Sequence, residues 1–87
     1  MPLYLDVHYN VLPQVGELNE ESVTAGHALD LAVQDKYGVR FVKYWYDEKT
    51  GRVFCLAEAP SKEAFEAVHR EAHGIMADEI WEVNEGE

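Results

Sequence analysis

The sequence predicts an α+β domain in which two helices cover one face of a four-stranded antiparallel sheet. Three observations carry the prediction. Four short stretches alternate apolar and polar residues or concentrate β-branched and aromatic ones, two longer stretches between them repeat apolar residues at helical spacing, and a glycine-containing turn joins the middle two strands directly. The 87 residues suffice for one domain of modest size, so residues 1–87 are read as a single domain.

The first stretch runs from Leu3 to Tyr9, where Leu3, Leu5 and Val7 alternate with Tyr4, Asp6 and His8, the period-two pattern of a strand. Its apolar set is expected to face the helices. Pro13 and Gly16 then break the chain. Asn19 caps the first helix, Glu20 and Glu21 sit beside the positive end of its dipole, and Gly38 stops it after Tyr37. Gly26 inside this helix costs roughly 1 kcal/mol relative to alanine, which predicts a neighbour packed closely against it. Val39 to Tyr46 forms the second strand and Arg52 to Glu58 the third, with Asp47 to Gly51 as the hairpin turn. Pro60 ends the third strand and Ser61 caps the second helix, on which Ala64, Phe65, Val68 and Ala72 recur at helical spacing until Gly74. Glu79 to Val83 is the last strand.

The order β-α-β-β-α-β is the ferredoxin-like arrangement, and right-handed crossovers place the first and third strands at the centre of the sheet. Both alternating sets of residues 52–57 hold apolar side chains, and residues 41–46 are aromatic on both sides, yet two helices bury only one face. The other face would leave a contiguous apolar patch in water. A second copy stacked sheet on sheet, giving a homodimer with the form of a dimeric α+β barrel, is the simplest cover. A Pro13/Gly16 loop folded across the sheet is the alternative.

Composition narrows the function. Seven Lys and Arg against seventeen Asp and Glu give a net charge of −10, which repels phosphates and argues against nucleic acid or anionic membrane as partners, while favouring cations, metals included. Cys55 is the sole cysteine, so no internal disulfide forms. The first residues lack the pattern of a signal peptide, no segment approaches the roughly 18 apolar residues of a membrane span, and a cytoplasmic protein is expected.

The side chains with chemistry are few. His27 and Asp30 lie three apart on the first helix, and His69 and His73 lie four apart on the second, spacings that place each pair on one helix face and suit chelation. The pattern lacks the further residues of a zinc-hydrolase motif. His73, in the last turn before Gly74, equally suits the negative end of the helix dipole. His69 falls on the apolar stripe, where a hydrogen-bonded histidine at the core edge is the plain alternative. His8 and Asp6 share one face of the first strand, and a buried charge there must be paired or bound. Cys55 in a central strand reads first as a small buried hydrophobe and second as a thiolate ligand. Ser22 and Ser61 stand at helix starts, where capping accounts for them.

Several phrases together resemble a known family: residues 6–8 (Asp-Val-His), 25–31 (Ala-Gly-His-Ala-Leu-Asp-Leu), 38–41 (Gly-Val-Arg-Phe), 44–47 (Tyr-Trp-Tyr-Asp), 51–60 and the run from Val68 to Gly74 with Asp78, Glu79 and Ile80. They are similar to the small bacterial nickel-responsive, nickel-binding proteins, a family otherwise described as an uncharacterised domain. The resemblance spans about residues 3–83 and is most specific from Phe54 to Pro60. It implies a ferredoxin-like subunit, a dimeric α+β sandwich and binding of Ni²⁺ or another divalent transition metal, with no established enzymatic turnover. The metal role is carried onto His8, His27, Asp30, His69 and His73. The loop from Asn10 to Leu18 departs from the family pattern, with Pro13 where a shorter glycine turn is expected. Asp6, Cys55, that loop and the acidic stretch from Asp78 to Glu87 are the next candidates for ligands. The expected function is a nickel-binding module that sequesters or senses the ion. The alternative is a small dimeric α+β-barrel enzyme, monooxygenase- or isomerase-like, with a pocket against the sheet in which His8 or His69 serves as acid or base. A third reading is an interaction module in which the histidines are structural.

Overall fold

A computed structural model describes residues 1–86, so that Glu87 of the acidic terminal stretch lies outside the described residues. The elements follow in the order β1 (Leu3–His8), α1 (Leu12–Val15), α2 (Glu20–Val33), a 3₁₀ turn (Gln34–Tyr37), β2 (Arg40–Asp47), β3 (Arg52–Glu58), α3 (Lys62–Ala72) and β4 (Glu79–Val83). The strands form one antiparallel sheet in the order β2-β3-β1-β4, with β1 and β3 central as the crossover rule requires.

The helix boundaries have local causes. Asn19 Oδ1 accepts the Ser22 N–H at 2.9 Å while Ser22 Oγ accepts the Asn19 N–H at 3.0 Å, a reciprocal cap that satisfies two of the unpaired donors at the start of α2. Ser61 Oγ accepts the Ala64 N–H at 3.1 Å and starts α3 in the same manner. The segment between β1 and α2 is more ordered than the breaker residues foretold. Pro13 fits the first turn of α1, where its missing N–H costs nothing. At the hairpin, Gly51 has φ +79°, its carbonyl accepts the Val11 N–H at 2.9 Å, and a Cβ there would collide with Asn10 Oδ1 and the Leu12 side chain. Glycine at this position therefore ties the hairpin to the segment 10–18.

The register shows which face of each strand is covered. Residues directly opposite one another share a face. Tyr4, Asp6 and His8 stand opposite Ala57, Cys55 and Val53, which in turn stand opposite Phe41, Tyr44 and Tyr46. This set lies under the helices: Tyr4, Cys55 and Ala57 join Val39, Ala59, Phe65 and Val68 in the main core, with Phe65 and Val68 wholly buried as their helical spacing predicts. The expectation that Leu3, Leu5 and Val7 face the helices is thus corrected. They pair with Phe54 and Leu56 on β3 and with Trp81 and Val83 on β4, on the face without helices, where Trp45 and Trp81 remain 46% and 58% exposed. The reversal has a physical reason. Asp6 and His8 point inward because α3 supplies a polar partner there, whereas the aliphatic set completes an apolar outer face.

Two further expectations change. Val11 and Leu18 pack with Val23 against Tyr44, Tyr46 and Val53, all on the helix side, so the 10–18 segment does not fold across the open face. No atom lies within 4 Å of a Cβ placed on Gly26. This glycine faces a cavity instead of a tightly packed neighbour.

Candidate metal centre

His69 is the centre of the buried polar cluster. It stands one residue beyond Val68 on the inward face of α3, is 2% exposed, and is wedged against the rings of Phe41 and Phe65 at 5.6 and 5.4 Å between centroids. Each ring nitrogen meets a carboxylate: Nε2 donates to Asp6 Oδ2 at 2.8 Å and Nδ1 to Asp30 Oδ1 at 2.8 Å. An imidazole flanked this way donates from both nitrogens only when doubly protonated. Burial works against that cation, but the hydrogen bonds to Asp30 and Asp6 outweigh it and raise the His69 pKa to about 12. Strand β1 thereby reaches helix α2 through one charged ring on α3.

The carboxylates are equally constrained. Asp6 is 0% exposed. Its Oδ1 accepts the Cys55 N–H at 3.1 Å and its Oδ2 lies 3.3 Å from His8 Nε2 besides holding His69. Burial pushes the Asp6 carboxyl up, yet the hydrogen bonds from His69 and His8 hold it below the ordinary carboxylate range. For Asp30, 4% exposed on the inward face of α2, burial is likewise outweighed by hydrogen bonds from His69 and His73, and the carboxyl stays ionised. Two carboxylates facing one imidazolium leave a buried net charge of about −1, which attracts a further cation.

His73 does both things its position allows. As the C-cap of α3 it accepts the Ile75 N–H on Nδ1 at 3.1 Å, which fixes the proton on Nε2, and that nitrogen reaches Asp30 Oδ1 at 3.0 Å. Gly74, at φ +76°, returns its N–H to the His69 carbonyl and ends the helix. His8 is 4% exposed with its ring edge-on to His69 at 5.1 Å. Its Nδ1 is the one buried side-chain polar atom without a hydrogen-bonding partner among the described residues. His27 stands apart from the cluster: its ring packs on Tyr44 at 4.5 Å, and burial lowers its pKa, partly offset by Asp30. Burial drives the Cys55 thiol up to about 12, so it is a neutral thiol in this setting.

Donor atoms from Asp6, His8, Cys55 and His69 all lie within 4.8 Å of one another, as do donors from Asp30, His69 and His73, and the two groups share His69. The fold thus brings four of the five residues singled out from the sequence to one place, leaves His27 beside it on the same helix face as Asp30, and adds Asp6 and Cys55. Spacing along one helix cannot find Asp6, because it lies on β1 and its partners from elsewhere in the chain, His69 and the Cys55 N–H, arrive from α3 and β3.

The model of the nickel responsive SCO4226-like proteins matches residues 4–83. The chain belongs to this family. It is also similar to a solved structure, the crystal structure of SCO4226 from Streptomyces coelicolor A3(2), with 35% sequence identity, a TM-score of 0.84, and coverage of 98% of this chain and 99% of that one. No curated protein matches the chain. The family's α+β fold is the one found here, and no helix among the described residues is long and apolar enough to cross a membrane.

Proposed function

We propose that this protein binds a divalent transition-metal ion, nickel foremost, at the buried cluster around His69, and that it works as a cytoplasmic homodimer that sequesters or senses the ion. The observation that carries the reading is the pair of donor groups sharing His69, enclosed by the protein and carrying excess negative charge. Imidazole and carboxylate donors suit Ni²⁺, Zn²⁺, Cu²⁺ and Co²⁺, and the family description favours nickel among them. Binding at His69 is an exchange: a divalent ion displaces the imidazolium proton, and the charge shared by Asp6, Asp30 and His69 moves from −1 to 0. His8, Asp30, His69 and His73 are the proposed ligands. His27, whose lone pair is kept available by its lowered pKa, is the proposed fifth.

The dimer reading rests on the open sheet face, where Leu3, Leu5, Val7, Phe54, Leu56 and Trp81 form the apolar patch that a second copy would cover. The test of the metal reading is elemental analysis with native mass of protein purified without an affinity tag. Stoichiometric Ni²⁺ should accompany the wild type, and His8→Ala or Asp30→Asn should each weaken Ni²⁺ at least tenfold, about 1.4 kcal/mol. Wild type that takes up none of these ions defeats the proposal, and variants that bind as well as wild type would move the site elsewhere.

A further inference from the structure

The metal reading accounts for the donors of one cavity and leaves its other walls without a use. A space of about 360 Å³ opens between α2, the 10–18 segment and the covered face of the sheet, and all five proposed ligands, His8, His27, Asp30, His69 and His73, line it. The donors crowd together: those of Asp30, His69 and His73 lie within 4.8 Å of one another, and His69 is shared with the group that includes His8. Much of the remaining wall is Val11, Val15, Leu18, Val23, Leu29 and Ile75. Two further polar side chains line it, but Ser22 is committed to the cap of α2 and Gln14 is exposed. Donors thus gather in one part of a space whose volume lies in the range of small-molecule sites and far exceeds a single ion.

Gly26 keeps that space open. A glycine within a 14-residue helix carries an intrinsic cost, and no close contact requires it, because a Cβ there meets nothing within 4 Å. It lines the cavity, so a large side chain in its place would take up open volume. Water is a poor filler, since a buried water needs roughly two to four polar partners and aliphatic walls supply none.

The chemistry of the site narrows the occupant. An imidazole nitrogen that holds a metal carries no proton, so in the loaded site the ionised Asp6 and Asp30 carboxylates balance a divalent ion. An anionic occupant would leave an unbalanced charge among apolar walls, and a protonated amine has no lone pair to give an ion. A neutral nitrogen donor meets both limits, and heteroaromatic nitrogen suits Ni²⁺, Zn²⁺, Cu²⁺ and Co²⁺ alike. Tyr44, whose ring packs on His27 at 4.5 Å, also lines the cavity and favours a flat aromatic body.

We propose that the cavity seats a neutral heteroaromatic co-ligand, an imidazole-type nitrogen on an apolar body, with the nitrogen completing the coordination of the ion and the body lying along Gly26 and the apolar wall. This inference rests on the metal reading and deepens it. The probes are 4-phenylimidazole, imidazole and 2-phenylpyrrole: donor with body, donor alone, and body without a free nitrogen lone pair. Each is titrated into untagged, Ni²⁺-loaded protein and followed by the visible absorption of the ion, with retained Ni²⁺ counted by elemental analysis after equilibrium dialysis. In the wild type, 4-phenylimidazole should shift the absorption and bind at least tenfold more tightly than imidazole while Ni²⁺ is retained, and 2-phenylpyrrole should leave the spectrum unchanged. Gly26→Phe should keep Ni²⁺ and lose at least tenfold in 4-phenylimidazole affinity, whereas Gly26→Ala should behave as wild type. Val15→Asp, on α1 and so on a different element from every proposed ligand, should weaken 4-phenylimidazole at least threefold and reads the same wall if Gly26→Phe misfolds. Equal affinity for 4-phenylimidazole and imidazole, an unchanged spectrum, loss of Ni²⁺ to the probe, or binding indifferent to the wall variants would overturn the co-ligand while the metal reading stands. Wild type that takes up no Ni²⁺ in the first place would overturn both.

Discussion

Under the helices, β1 presents Tyr4, Asp6 and His8; away from them, the same six residues present Leu3, Leu5 and Val7. The inward set includes a fully buried carboxylate and a nearly buried imidazole, while the outward set continues into Trp45 and Trp81, which remain about half exposed. Usual partitioning would reverse the two. The difference teaches that a charge goes inward where other elements bring opposite charge and hydrogen bonds to it, here His69 from α3. A strand whose aliphatic residues face outward, in turn, sets up an interface.

Removing the ring that links the covered face is the severest way to break this contrast. His69→Ala removes the imidazolium that Asp6 and Asp30 share, leaving the buried carboxylates only His8 and the Cys55 N–H on one side and His73 on the other, and should cost about 3–5 kcal/mol in urea unfolding. Phe65→Ala, four residues earlier on the same helix and wholly apolar, should cost on the order of 3 kcal/mol or more through cavity formation. A loss below about 1 kcal/mol in either would show that the inward face of α3 is assigned wrongly.

Acidity sharpens the same comparison, because only the covered face titrates internally. The folded His69 pKa, raised to about 12, exceeds the unfolded value near 6.5, so the folded state keeps a proton that the unfolded chain releases. This contribution is complete below about pH 6.5 and is lost as pH rises toward 12, at roughly 1.4 kcal/mol per pH unit within that window. Asp6 and Asp30, held below their ordinary range, act in the opposite sense: their contribution is present above about pH 4 and disappears as pH falls through their folded values. Metal-free protein should therefore be roughly 2–3 kcal/mol less stable at pH 8.5 than at pH 6.5, and His69→Gln should flatten that dependence. Equal slopes for wild type and variant would count against the imidazolium.

The open face responds to a different perturbation. Phe54 and Leu56 have the same parity and both point away from the helices, opposite Val7 and Leu5. Phe54→Glu or Leu56→Glu should shift self-association toward monomer at least tenfold, about 1.4 kcal/mol, in sedimentation equilibrium. A wild-type chain that is monomeric at micromolar concentration ends the dimer proposal. The smallest effect belongs to the cavity wall: Gly26→Ala should raise stability by up to about 1 kcal/mol, since the added methyl meets open space. A loss would mean a contact is crowded there.

Much of this was legible locally. The caps at Asn19 and Ser61, the glycine stops at Gly38 and Gly74, the hairpin at Gly51 and the order of strands follow from signals within a few residues of each feature. Alternation in β1 gave two sets of residues without saying which faces inward, and hydrophobicity favoured the wrong one. The deciding contacts join Asp6 to His69 across 63 positions and His69 to Asp30 across 39, distances over which no periodicity operates. The His69 and His73 spacing did announce a shared face, and Asp30 was visible as a donor beside His27. What spacing could not show is that Asp30 turns toward α3 while His27 stacks on Tyr44.

The central claim is that a divalent ion enters the buried cluster by replacing the proton of His69. Titration calorimetry of Ni²⁺ into untagged, metal-free protein at pH 7.5, repeated in two buffers of different ionisation enthalpy, counts the protons released per ion. The account predicts binding well below about 100 μM, a free energy beyond about −5.5 kcal/mol, with close to one proton released per ion and affinity that rises with pH. Binding with no proton release, or no binding in that concentration range, would contradict it.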